Sequence, residues 1–176
     1  MTDTTDPRPI RSHSSSTPSP ALERIRVLLA ENSVEFREVR HEPTRTSEES
    51  ARARGESVEI GGKALLMKTG DEFRLFVLSA ARKLDSAAIR ERFGAKKARF
   101  ATPEELLELT GLVPGSVPPF GRPILPFDLF VDESIARNEK IAFNAGSITD
   151  SIIMPTHDYL RVAKPTETFR FSLAAG

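Results

Sequence analysis

The chain has 176 residues, 39% of them apolar, and carries 25 basic against 25 acidic side chains. That suits one domain with a substantial core rather than two. There is no cysteine, which excludes disulfides, thiolate metal sites and a cysteine nucleophile. No apolar run approaches the ~18 residues of a membrane helix and no signal-peptide core opens the chain, so a cytoplasmic protein without a membrane partner is expected.

Residues 1–20 are rich in Ser, Thr, Pro and Arg and poor in large apolar groups, so they read as a disordered polar tail ahead of a single domain over 21–176. Leu22, Ile25, Leu28 and Leu29 recur at helical spacing and predict an amphipathic helix over 21–32, ended by Asn32-Ser33. An edge strand over 34–39 follows, broken at His41-Glu42-Pro43. Thr46 or Ser47 caps a short helix over 48–54, which Gly55 ends.

Gly62 to Leu78 reads as two apolar strands joined by a Gly70-Asp71 turn. Side chains alternate along a strand, so Lys63 shares a face with Leu65 and Met67, and Ala64 with Leu66 and Lys68. Both faces are largely apolar, as in a central strand covered on both sides. A lysine there sits either at the core's rim or in a pocket wall.

Asp85 or Ser86 caps a helix closed by Gly94, and 98–100 is a short strand. Thr102-Pro103-Glu104-Glu105 is a capping-box signature for a helix whose buried face is Leu106, Leu107 and Leu109, stopped by Gly111. Residues 112–121 are too rich in Pro and Gly for a regular element. Strands are expected over 124–131, 141–143 and 151–154, a short helix over 155–160 with the His157-Asp158 pair at its cap, and an edge strand over 169–173. About seven strands interspersed with helices predict an α/β protein built on a mixed sheet with packed helices.

Gly62-Lys63 is not a phosphate loop: Ser57 stands where its first glycine belongs and Ala64 where Ser or Thr would meet magnesium. No Gly-x-Ser-x-Gly elbow is present, and two distant histidines outside the tail with no cysteine do not make a zinc site, so no metal or cofactor is expected. What remains is Lys63 together with glycine-bearing loops at Gly111 to Gly115, Pro118 to Gly121 and Asn144 to Ser147, whose bare backbone can approach a ligand closely. Lys96 and Lys97 lie in a basic run between Arg82 and Arg99, which is either a solvated face or a dock for phosphates.

From Val39 to about Leu160 the order of these features resembles the YbaK/prolyl-tRNA synthetase-associated editing domains. The resemblance is carried by His41-Glu42-Pro43 with Thr46, by Lys63-Ala64-Leu65-Leu66, by Lys96-Lys97-Ala98-Arg99-Phe100-Ala101, and most specifically by the segment Gly111 to Gly121. It implies a free-standing trans-editing deacylase that hydrolyses the ester of a mischarged tRNA, of the tRNA-Pro type, with a synthetase as a second partner and no DNA. It further implies Lys63 as the catalytic residue, substrate-binding roles for Thr46, Gly111, Pro114, Gly115, Asn144, Gly146 and Ser147, and tRNA contacts at Lys96 and Lys97. The loop Gly146-Ser147-Ile148-Thr149-Asp150 departs from the Gly-Lys or Gly-Arg-Arg often found there, which bears on substrate choice. Two other functions fit the residues alone: a tRNA- or synthetase-binding module without catalysis, and a small-molecule binding protein.

Overall fold

The computed structural model describes residues 19–175. The tail expected over 1–20 therefore lies outside the described residues except at its end. Ser19 there caps the first helix, α1 (Pro20–Glu31), accepting from the Leu22 N–H at 3.1 Å. Strand β1 (Arg37–Arg40) and helix α2 (Ser47–Arg54) follow, the latter capped by Thr46 and ended by Gly55 in the left-handed conformation. Next come β2 (Gly62–Thr69) and β3 (Glu72–Ser79), which form the expected hairpin around Gly70-Asp71.

Strand β4 (Arg82–Leu84), helix α3 (Ser86–Phe93), strand β5 (Ala98–Phe100) and helix α4 (Pro103–Thr110) complete the first half. The second half holds β6 (Leu129–Asp132), α5 (Glu133–Ala136), β7 (Lys140–Asn144), β8 (Asp150–Pro155), α6 (Thr156–Ala163), β9 (Glu167–Phe169) and β10 (Ser172–Ala174). The main sheet is mixed, in the order β5-β2-β3-β6-β9; β1-β8-β7 form a second sheet and β4-β10 a pair. A parallel bridge between Gly61 and Ala142 joins the head of β2 to the second sheet.

The main sheet is apolar on both sides, as the alternation in β2 and β3 requires. Leu66, Leu75, Val77, Leu129 and Val131 face one core with Leu22, Ile25 and Leu29 of α1. Met67, Phe76, Leu78 and Phe130 face the other with Ile89 of α3 and Phe171. Phe76 stacks on Phe130 at 5.5 Å and meets Phe171 edge-on at 5.3 Å. Each such ring contributes roughly 1.5–3 kcal/mol by its burial.

Several expectations are corrected. The strand expected over 124–131 starts only at Leu129, because Pro123 and Pro126 have no N–H for a ladder and the chain first folds back on Gly121. Of the leucines expected on the buried face of α4 only Leu106 is buried; Leu107 is 55% and Leu109 39% exposed. Helix α6 starts at Thr156 after Pro155, and neither His157 nor Asp158 caps it. The last expected strand is two, β9 and β10, with Arg170 and Phe171 between them. The strands thus number ten among the described residues rather than about seven.

Candidate active site

Lys63 is the second residue of β2, at the end of the main sheet nearest the second sheet. It is half-buried, and burial lowers its pKa from the ordinary lysine value against an opposing pull from Glu48. A cavity of about 240 Å³ opens beside it, walled by α2, the head of β2, the loop at Gly115 and the end of β7. Its lining includes the cations Arg45, Arg54 and Lys63, the hydroxyls of Thr44, Thr46, Ser47 and Ser50, and no carboxylate.

The edge of β2 at this cavity is open. The Ala101 N–H donates to the Leu66 carbonyl, so the even residues of β2 point their backbone groups toward β5. Strand β5 pairs with β2 only from Met67 to Thr69. The Ala64 N–H therefore faces the unpaired edge, and Ala64 lines the cavity. Gly115, at φ 87°, also lines the cavity, and its N–H has no hydrogen-bond partner among the described residues.

Sequence reasoning missed the most buried cation. Arg54, at the end of α2, is 8% exposed and lines the cavity. Its Nε donates to Ser151 Oγ at 2.9 Å and its Nη2 to Asn144 Oδ1 at 3.0 Å. Ser151 Oγ also donates to Asn144 Oδ1 at 3.1 Å and lies 2.8 Å from His41 Nε2. Asn144 Nδ2 donates to the Gly115 carbonyl at 2.8 Å. Burial lowers the Arg54 pKa to about 10. The signal available in the sequence was an arginine in a short helix otherwise satisfied by caps, and only the fold shows that it points inward.

The residues expected to form the site divide into three places. Lys63, Thr46, Gly115 and Asn144 share the cavity at β2. The Thr46 hydroxyl oxygen already accepts from the Glu49 N–H at 3.1 Å as the cap of α2. Gly111, Gly146 and Ser147 instead line a second cavity of about 450 Å³ at the start of α1. Gly146 is packed against that helix: a Cβ there would stand 2.7 Å from Ala21 Cβ. Pro114 is exposed and borders none of these cavities. Lys96 and Lys97 line a third cavity of about 490 Å³ with Lys68, Arg90 and Arg99, at the other end of β2. Arg99 is tied to Glu105, whose pKa that bond and the Thr102 N–H lower to about 2. Among the described residues no group of His, Asp and Glu is arranged to hold a metal, and no helix is long and apolar enough to cross a membrane.

The model of the aminoacyl-tRNA editing domain matches residues 41–162. A multifunctional Ser/Thr-tRNA deacylase, ProXp-y of Escherichia coli strain K12, is 36% identical over 149 residues, spanning 81% of this chain and 88% of that protein. A proline–tRNA ligase of Shouchella clausii is 33% identical over 101 residues, 57% of this chain and 18% of the ligase. Among solved structures, one described as a candidate trans-editing enzyme for prolyl tRNA synthetase superposes with a TM-score of 0.75 at 25% identity, covering 90% of this chain and all of that one. The mixed α/β fold expected from the sequence is the fold of that neighbour, and the family expected from it is the one whose model fits. On a match across most of the described residues and a relative covered nearly end to end, the chain belongs to the aminoacyl-tRNA editing domain family and is an aminoacyl-tRNA hydrolase.

Proposed function

We propose that this enzyme acts in trans on mischarged tRNA-Pro, releasing small hydroxylated amino acids, with the ester held at Lys63. The observation that carries this reading is the half-buried ammonium of Lys63 beside an open strand edge in a cavity without carboxylates. At about 240 Å³ the cavity is smaller than the ~300–1,000 Å³ of ordinary ligand pockets, which suits a short side chain. Its hydroxyl lining suits a hydroxylated one. The relative that acts on Ser- and Thr-tRNA supports this choice. Likeness to a proline–tRNA ligase and to the candidate trans-editing enzyme supports tRNA-Pro and a synthetase partner.

In this reading water attacks the ester carbonyl carbon. The oxyanion that forms is met by the N–H groups of Ala64 and Gly115 and by the Lys63 ammonium. The bond from carbonyl carbon to ribose oxygen then breaks, the ribose oxygen takes up a proton, and the amino acid leaves as its carboxylate. The cavity lining supplies no Asp, Glu or His as general base, so the vicinal ribose hydroxyl is the group placed to activate water. The RNA lies along β2 toward the third cavity. Lys68 is roughly 17 Å from Lys63 at strand spacing. Between them Phe100, 55% exposed on the edge strand β5 and paired with Met67, offers a ring on which an unpaired base stacks.

The test is hydrolysis of a panel of alanyl-, cysteinyl-, seryl- and threonyl-tRNA-Pro by the purified protein. Seryl and threonyl esters are expected to be cleaved fastest. Binding of tRNA without ester loss would replace this reading with a binding module, and thermal stabilisation by small ligands with no response to RNA would replace it with a small-molecule site.

A further inference from the structure

We propose that Arg54 is a positioning residue of the ester-cleaving site, holding the Asn144 amide so that it clamps the Gly115 loop at the cavity wall. This rests on the deacylase reading and deepens it. A guanidinium that is 8% exposed is costly to bury. Among the described residues Arg54 has no carboxylate partner: its side-chain hydrogen bonds go to Ser151 Oγ and Asn144 Oδ1. Its charge is met by neutral oxygens alone among the described residues, so what it does here is orient those groups rather than close an ion pair.

Arginine only donates. The Asn144 oxygen must therefore face Arg54, where it also accepts from Ser151. The Asn144 NH₂ is thereby turned to the other side, where it meets the Gly115 carbonyl at 2.8 Å. Gly115 sits in a Pro- and Gly-rich segment with a positive φ. Ser116 Oγ donates to the Val113 carbonyl and accepts from the Val113 N–H within the loop, and the Tyr159 hydroxyl holds the loop's far end at the Pro119 carbonyl. Among the described residues, the Asn144 bond is the side-chain hydrogen bond that ties the Gly115 tip itself to β7. Fixing the Gly115 carbonyl pins the Gly115–Ser116 peptide and narrows the backbone rotations left to the glycine, whose N–H is the donor proposed at the cavity. An N–H displaced by ~1 Å from a reacting oxygen loses most of its effect.

The variants that decide are Arg54→Lys, Asn144→Ala and Asn144→Asp, assayed in steady-state hydrolysis of seryl-tRNA-Pro with melting followed in parallel. Arg54→Lys and Asn144→Ala are expected to lower kcat about 10- to 100-fold with KM within about twofold, and the double variant to be no worse than the weaker single. Asn144→Asp gives Arg54 a carboxylate but leaves nothing to donate to Gly115, so it is expected to melt no lower than the parent and still lose kcat. Parental activity in Asn144→Asp, fold-losses that multiply in the double variant, or a raised KM at unchanged kcat would overturn the clamp; the last would make Arg54 a direct contact to the RNA. A second readout is free of activity. The Asn144 side-chain NH₂ resonances, assigned by their loss in Asn144→Asp, are expected to show a bonded amide in the parent and a solvated one in Arg54→Lys. Unchanged resonances refute the clamp even if no tRNA in the panel is cleaved, which would refute only the deacylase reading.

Discussion

Replacing Lys63 by Met removes the ammonium and keeps most of the stem. At an effective dielectric of 20, a unit charge ~4 Å from a full negative charge gains about 4 kcal/mol. Lys63 is only half-buried, so solvent screens part of this, and ~2–4 kcal/mol is the range to expect, a fall of about 30- to 1,000-fold in single-turnover deacylation. The effect on stability has the opposite sign. Burial lowers the folded-state pKa of Lys63, so between that pKa and the unfolded value the unfolded chain holds more protons. Folding then becomes more favourable as pH rises through this window, and at neutral pH the buried charge is a net cost. Lys63→Met is therefore expected to melt at or above the parent's temperature while losing activity, and to lose the rise in stability at alkaline pH. Lys63→Arg keeps a charge and is expected to fall between them. Deacylation by Lys63→Met within threefold of the parent would remove Lys63 from the mechanism. A marked loss of stability in Lys63→Met, which keeps the stem, would show that the ammonium stabilises the fold and would overturn the sign worked out from burial.

Changing Lys96 and Lys97 together to Gln is expected to weaken tRNA binding and flatten its logarithmic salt dependence by about 1.4–1.8 units, measured by filter binding; an unchanged slope makes the basic cavity a solvated face. Phe100→Ala is expected to weaken binding of a CCA-ended hairpin by ~1–3 kcal/mol and Phe100→Trp to restore it, whereas equal binding by all three would remove the stacking role. At Gly121 a Cβ would stand 2.5 Å from the Phe127 carbonyl, which is backbone and cannot step aside, so Gly121→Ala is expected to cost about 2–3 kcal/mol, roughly 5–10 °C in Tm by calorimetry. Burial pushes the Asp132 pKa up, but bonds from Ser134, the Phe171 N–H and Ser172 outweigh it and hold the pKa below the usual value. The stability this contributes is complete above ~pH 4 and is lost as pH falls through the lowered value, so the gap in stability between the parent and Asp132→Asn should shrink in acid.

Local chemistry was legible in the sequence wherever a few adjacent residues decide the outcome. Thr102-Pro103-Glu104-Glu105 folds as the capping box it spells, and Gly70-Asp71 as the turn. Apolar alternation placed β2 between two cores because the pattern itself requires two covers. The failures are long-range. Nothing local says that Leu107 and Leu109 find no partner, since which face of α4 is covered depends on the sheet beneath it. The site divides the same way. Lys63 was marked by being a charge in an apolar strand. Gly111, Gly146 and Ser147 were grouped with it because glycine loops look alike, yet they lie against α1, whose position no motif encodes. Arg54 escaped because a helix-end arginine usually extends into solvent, and only the meeting of α2 with Ser151 and Asn144 turns it inward.

The charges of the site and of its substrate together impose an orientation. An aminoacyl ester carries its own ammonium on the carbon next to the reacting carbonyl, while the cavity carries Arg45, Arg54 and Lys63 and no carboxylate. With the ester held at Lys63 as proposed, the substrate's ammonium is expected to point along the hydroxyl wall of Thr44, Ser47 and Ser50 toward α2, whose Glu48 already acts on Lys63 through its field. Even so, repulsion from the cations lowers the affinity for the charged form. An α-amino group titrates near ~7.7–8.0, so the enzyme's rate above the uncatalysed one should rise as pH passes through that range and the amine becomes neutral. Deprotonation of Lys63 would act the other way, and Lys63→Arg, which holds its charge, separates the two. A seryl ester and its α-hydroxy counterpart, compared on the same tRNA from pH 6 to pH 9, decide the matter. The α-hydroxy ester has no ammonium and should show no step in that range. Equal steps for both esters would place the titrating group on the enzyme and leave the amino-acid end free to face Lys63.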